Sequence, residues 1–118
     1  MSVSVRTRRF SVEEYHQMVR AGILKEDDRV ELIEGEILEI APLGPRHAFC
    51  VDGLNQRLGK SLDDRAVVRV QGLISLGPQS EPQPDLAVLR PPVMRYREAH
   101  PGPAEVFLVV EASVRLGF

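Results

Sequence analysis

Cysteine is nearly absent from this chain of 118 residues, where Cys50 stands alone. A single thiol cannot close an internal disulfide, which fits a reducing cytoplasm. Long apolar runs are lacking too. No stretch approaches the ~20 residues of a membrane-spanning helix. Arg6, Arg8 and Arg9 are followed by no apolar block, so the N-terminus is not a secretory signal and the expected location is cytoplasmic. Positive charge is not in excess. The formal net charge is -2, so no global basic footprint marks a nucleic-acid binder. A metal site can nevertheless contact phosphate without a basic surface. Lysine is scarce: of 15 basic residues 13 are Arg, and only Lys25 and Lys60 are Lys. A catalytic lysine therefore has few places to stand. No Cys/His cluster supports structural zinc, and no G-x-x-x-x-G-K loop supports nucleotide binding. No Ser-His-Asp arrangement is visible, and there are neither internal repeats nor low-complexity tracts.

What is present suits one soluble globular domain spanning residues 1–118, with 43% apolar and 27% charged residues. Residues 1–9 read as a flexible arm. Ser11 and Glu14 have capping-box spacing, which predicts a helix over residues 12–21 that stops at Gly22. His16 on this helix is expected to be exposed and unremarkable. Residues 29–40 read as two strands joined by a tight turn at Glu34-Gly35. They carry four Glu in nine residues, Glu31, Glu34, Glu36 and Glu39. Either these line a solvated sheet face or one of them, Glu31 foremost, points inward to a site. Pro45 opens a second helix, with Val51, Leu54, Leu58 and Leu62 at helical spacing and Cys50 expected to pack inside it. His47 lies in its first turn, either as a capping or surface residue or as a contact for a phosphate or a metal-bound water. Residues 66–71 read as a strand that a bulge at Gly72 carries on through 73–76. The proline-rich residues 90–103 form a long loop, expected to be mobile or to cover the site. His100 within it is expected to be solvated.

Two apolar runs each carry one carboxylate. Gln83-Pro84-Asp85-Leu86-Ala87-Val88-Leu89 opens on Asp85, and Val106-Phe107-Leu108-Val109-Val110-Glu111 closes on Glu111. Short Val- and Leu-rich runs bounded by Pro and Gly read as strands buried on both faces. If they pair antiparallel, the two carboxylates come side by side at one end of a dry sheet. Like charges about 4 Å apart repel by roughly 4 kcal/mol at an effective dielectric of 20. Such a pair needs a partner. Either arginines neutralise the two groups or a divalent metal does, and few, hard oxygen ligands favour Mg2+ or Mn2+. Ser113 is a candidate small polar neighbour.

The blocks Val30-Glu31-Leu32-Ile33-Glu34-Gly35-Glu36-Ile37, Pro45-Arg46-His47, Gln83-Pro84-Asp85-Leu86 and Leu108-Val109-Val110-Glu111 together resemble the Uma2 family, also known as DUF820. Their order and spacing fit over about residues 10–113. That family in turn resembles the PD-(D/E)XK nucleases. The resemblance implies an α/β (α+β) restriction-endonuclease-like fold, a mixed central β-sheet flanked by helices. It also implies metal-dependent phosphodiester hydrolysis in nucleic acid, DNA before RNA. By that likeness Asp85 is the Asp of the PD motif and Glu111 the second acid. Glu31 is the extra acid from the early hairpin, and His47 the histidine before the first core helix. Catalytic Asp85, Glu111, Glu31 and His47, with metal at the three carboxylates, is the expected site. The chain departs from the pattern where a lysine follows the second acid by two, since that position is Ser113. No Lys follows Lys60, and Arg115 cannot serve as a base. The C-terminal elements of the fold are expected to be missing, so the metal site should be more nearly intact than the catalytic one. A non-catalytic domain that works by self-association, as a homo-oligomer, or through a partner protein is the alternative reading.

Overall fold

The computed structural model describes residues 3–25, 27–40 and 44–112. Ser113 and Arg115 lie outside them. The elements run α1 (Val12–Arg20), β1 (Val30–Ile33), β2 (Glu36–Glu39), α2 (Pro45–Leu62), β3 (Val67–Val70), β4 (Leu86–Leu89) and β5 (Val106–Val110). The α/β class read from the sequence is the class observed. Among the described residues no helix is long and apolar enough to cross a membrane.

Local chemistry explains the first elements. Ser11 accepts from the Glu14 N–H at 3.1 Å, and the Glu14 side chain accepts from the Ser11 N–H at 3.0 Å. This reciprocal pair starts α1 where the spacing predicted. β1 and β2 form an antiparallel hairpin with Ile33 opposite Glu36. Its two turn residues, Glu34 and Gly35, have φ of 49° and 82°, the left-handed pair that a two-residue turn between right-twisted strands demands. Arg9 packs over this turn so closely that a Cβ at Gly35 would strike its side chain. The neighbouring Phe10 N–H bonds the Gly35 carbonyl at 2.9 Å. The C-terminal end of the arm is thus fastened to the hairpin.

The larger sheet has the order β3-β4-β5, antiparallel throughout, with α2 packed against β3. Its centre is β4, whose four residues Leu86, Ala87, Val88 and Leu89 are all buried. Ile74, Ala87 and Leu89 form the core with Val67, Tyr96 and Val106 packed against it. The two sheets are tied by residues 79–83, which lie along β1. The Glu81 N–H bonds the Leu32 carbonyl at 2.7 Å and the Gly35 N–H bonds the Gln79 carbonyl at 2.8 Å.

Four expectations need correcting. β5 is not buried on both faces: Phe107, Leu108 and Val109 are exposed. An apolar run looks the same in sequence whether it lies at the centre or the edge of a sheet, and β5 is an edge among the described residues. Gly72 is not a bulge, because Gln71 takes φ 49° and ends β3 there. Ile74, Ser75 and Leu76 then spend their N–H groups on Pro82, Pro101 and Ser80 rather than on a ladder. Cys50 is exposed, not packed, since α2 turns only His47 and Val51 fully inward. Residues 90–103 are closed at the neck by the Arg90 N–H to Glu105 carbonyl bond of 2.8 Å. They contain the one-turn 3-10 helix Val93–Tyr96, and Tyr96 packs on the core, so this loop covers the core instead of the carboxylates. His100 is exposed as expected, with Nδ1 3.3 Å from Arg69 Nη1.

Candidate metal centre

The β4–β5 register places Leu86 opposite Val110. Asp85 and Glu111 are the next residues outward on each strand, so they leave the ladder at the same end. The backbone continues the pairing beyond it: the Ala112 N–H donates to Asp85 Oδ2 at 2.8 Å. Asp85 is 8% exposed. A carboxylate taken this far from water needs donors, and the second comes from α2.

His47 occupies the first turn of α2 and is as buried as Asp85. Its Nε2 lies 3.1 Å from Asp85 Oδ2. An ionised carboxylate can only accept, so the imidazole carries a proton on Nε2. Oδ2 thereby takes two donors. The other ring nitrogen, Nδ1, is buried with no hydrogen-bond partner among the described residues.

Glu31 comes in from the hairpin. Glu34, Glu36 and Glu39 face solvent, as a sheet surface requires, while Glu31 is half-buried. Its Oε2 accepts the Gln83 N–H at 2.9 Å. The Gln83 side chain then donates to the Gln71 carbonyl at 2.8 Å, and the Gln71 N–H donates to the Asp85 carbonyl at 3.0 Å. This relay ties the hairpin acid to the strand that bears Asp85.

Glu111 feels the convergence most directly. Its carboxyl is pushed above the ordinary carboxylate value, first by loss of water around it, then by the charges of Asp85 and Glu31 and a hydrogen bond with Asp85. His47 pulls weakly the other way. The residue as a whole is open to solvent, so the expected dry pair is one dry carboxylate and one accessible one. Of the four residues singled out in the sequence, His47 and Asp85 are in direct contact, Glu111 ends the strand beside Asp85, and Glu31 acts on Glu111 through its charge. No arginine pairs with Asp85, Glu31 or Glu111 among the described residues.

A cation fits the donor set in kind. Asp85 and Glu111 leave the sheet at the same end, with Glu111 held toward its protonated form, a conflict of the kind that a divalent ion relieves. Among the described residues no three His, Cys, Asp or Glu side chains stand as a ready-made coordination shell. A magnesium-type site does not require one, because it keeps several waters and borrows substrate oxygens.

Glu81 escaped the sequence reading, and His16 was expected to be exposed and unremarkable. Glu81 is 3% exposed, and both its carboxylate oxygens lie 3.0 Å from His16 Nε2. His16 is therefore half-buried and hydrogen-bonded to Glu81 rather than an idle surface residue. No local signal names this pair, because the two residues are 65 positions apart.

No curated protein and no solved structure matches the chain. The sequence model of the family Uma2, described as "Putative restriction endonuclease", matches residues 12–114. That description points to nuclease-type action on nucleic acid. The match runs from the start of α1 past β5 and takes in Glu31, His47, Asp85 and Glu111, and with so much of its length covered, the chain belongs to the Uma2 family.

Proposed function

We propose that this domain is a divalent-metal-dependent endonuclease of the PD-(D/E)XK type that hydrolyses phosphodiester bonds, with DNA as the first substrate to test. Asp85, Glu111 and Glu31 would hold Mg2+ or Mn2+. The observation that supports this reading is the end of the β4–β5 ladder, where Asp85, held by His47 and the Ala112 N–H, lies beside Glu111, whose carboxyl is raised in part by the charges of Asp85 and Glu31. A metal in this place supplies an activated water and stabilises charge on a phosphoryl oxygen. The chain's own residues do the rest. His47 and the Ala112 N–H fix the rotamer of Asp85 through Oδ2. The Gln83 N–H fixes Glu31. Glu111, the accessible acid, is the one whose charge changes with its surroundings.

The test is a calorimetric titration of Mn2+ into the wild type, Asp85→Ala and Glu111→Ala, followed by plasmid cleavage. Saturable binding lost in both variants, with cleavage that needs Asp85, supports the reading. Absence of binding in the wild type rejects it.

One observation favours a second reading, self-association without catalysis. Among the described residues β5 is an edge strand without Lys, Pro or any charge within it, and Phe107, Leu108 and Val109 are 52%, 51% and 41% exposed. A twofold axis at Leu108 would pair β5 with its own copy, Val106 against Val110. Sedimentation at several concentrations, beside Leu108→Lys, decides. A wild type that is monomeric throughout rejects a homo-oligomer.

A further inference from the structure

Gln83 belongs to two neighbourhoods. Its backbone N–H holds Glu31, and the same residue lines a separate cavity of about 410 Å3 together with His16 and Glu81. That volume is in the range of small-molecule sites. Val19, Leu24, Val30 and Leu73 supply apolar wall, and Arg20 and Lys25 supply positive charge at the rim. Asp28 also lines it, and its carboxylate is occupied by the Lys25 N–H at 2.9 Å.

Glu81 is the unusual member. An ionised carboxylate has about four lone-pair sites, and its side chain is 4% exposed. Among the described residues its oxygens meet one donor group, His16 Nε2, which is 3.0 Å from both. Two equal contacts to a single N–H are one shared bond. A buried carboxylate supplied this thinly is an acceptor surface short of donors. The His16 side chain is 44% exposed, so it can yield its place without unpacking the core.

We propose that this cavity binds a nucleobase that presents two adjacent N–H donors, as guanine does with N1–H and its 2-amino group, with Glu81 accepting both. The proposal rests on the reading of nucleic acid as substrate and adds a base preference to it. A base is flat and largely apolar on its faces, which suits the Val and Leu walls, and carries its polarity on one edge, which suits Glu81. Adenine and cytosine set an acceptor nitrogen beside their amino group. Uracil and thymine flank their one N–H with carbonyls. Each would turn an acceptor toward the carboxylate. The basic rim suits the phosphate of the same nucleotide. Tyr15 links the cavity to the carboxylates electrostatically: burial first, then the charges of Glu81 and Glu31, raise its hydroxyl above the ordinary value.

The test is calorimetric titration of GMP, AMP, CMP and UMP into the full chain without metal, beside the near-isosteric Glu81→Gln. GMP should bind about tenfold tighter than the others, the size of one good bidentate contact, and the preference should vanish in Glu81→Gln. Equal binding of all four nucleotides, no binding of GMP, or a preference that survives Glu81→Gln overturns the proposal. Should Glu81→Gln not fold, histidine-ring NMR of the wild type decides. GMP must shift the His16 signals and leave those of His47 in place, and a GMP-insensitive His16 overturns the proposal. Metal binding and cleavage are measured separately. A cleaving enzyme without the GMP preference removes this inference alone, and a chain that binds no metal removes the nuclease reading alone.

Discussion

His47 Nε2 and Asp85 Oδ2 stand 3.1 Å apart across 38 positions of sequence. The histidine opens α2 and the aspartate precedes β4, and neither has much access to water. The contact makes a helix N-terminus and a central strand into one unit, with the carboxylate rotamer set before any ligand arrives. On the proposed reading Asp85 is a metal ligand, and a ligand held in this way loses affinity when the residue behind it is removed.

His47→Ala should therefore weaken Mn2+ binding by about 10- to 100-fold, the usual cost of losing the group that orients a metal ligand. Calorimetry reads the change. An unaltered dissociation constant would mean that the Ala112 N–H suffices to hold Asp85.

Glu111→Gln should raise thermal stability in alkaline and neutral buffer. The Glu111 carboxyl is pushed above its ordinary 4.5 in the folded chain, so the folded chain holds that proton more tightly than the unfolded one. Below 4.5 both states are protonated and the group costs nothing. As pH rises through the raised folded value, stability falls and stays lower. Removing the charge removes this fall. Melting curves of wild type and variant should coincide near about pH 4 and separate toward about pH 8, with Glu111→Gln the higher. A lower melting point for the variant at alkaline pH contradicts the crowding of carboxylates. Saturating Mn2+ should raise the wild-type midpoint at about pH 8.

The two apolar runs make a matched pair for mutation. Leu89, with no exposed surface, should lose about 2–5 kcal/mol when cut to Ala. Phe107, 52% exposed, should lose no more than about 0.5 kcal/mol in a monomer. Urea unfolding measures both. Equal losses would show that β5 is covered in solution.

Ser11→Ala removes one half of the capping box. It should cost about 1 kcal/mol, and Ser11→Asp should restore most of it. Urea midpoints check both variants, and no loss in Ser11→Ala would mean that α1 is held by Tyr15 and His16 alone.

Much of this architecture follows from short-range patterns. Ser11 with Glu14, Glu34 with Gly35, and Pro45 at a helix start each act on residues within one turn, and such effects are written locally. The pairing of Asp85 with Glu111 was also legible, because antiparallel strands of similar length leave few registers and each strand bears its acid at one end. Long-range partners were not legible in the same way. His16 and Glu81 are 65 positions apart, and nothing near either residue names the other.

By itself, then, the sequence determined most of the local elements and the α/β class, and it singled out the four residues of the candidate centre. These depend on spacing, periodicity and capping chemistry, all of which operate over a few residues. Only the tertiary structure decided which apolar run became the centre of the sheet and which its edge, and that Glu31 alone of four hairpin acids turns inward. It also decided that a histidine on α1 closes over a buried glutamate. Burial depends on what packs against a residue from elsewhere in the chain, and equally apolar runs are equivalent until the sheet is assembled around one of them.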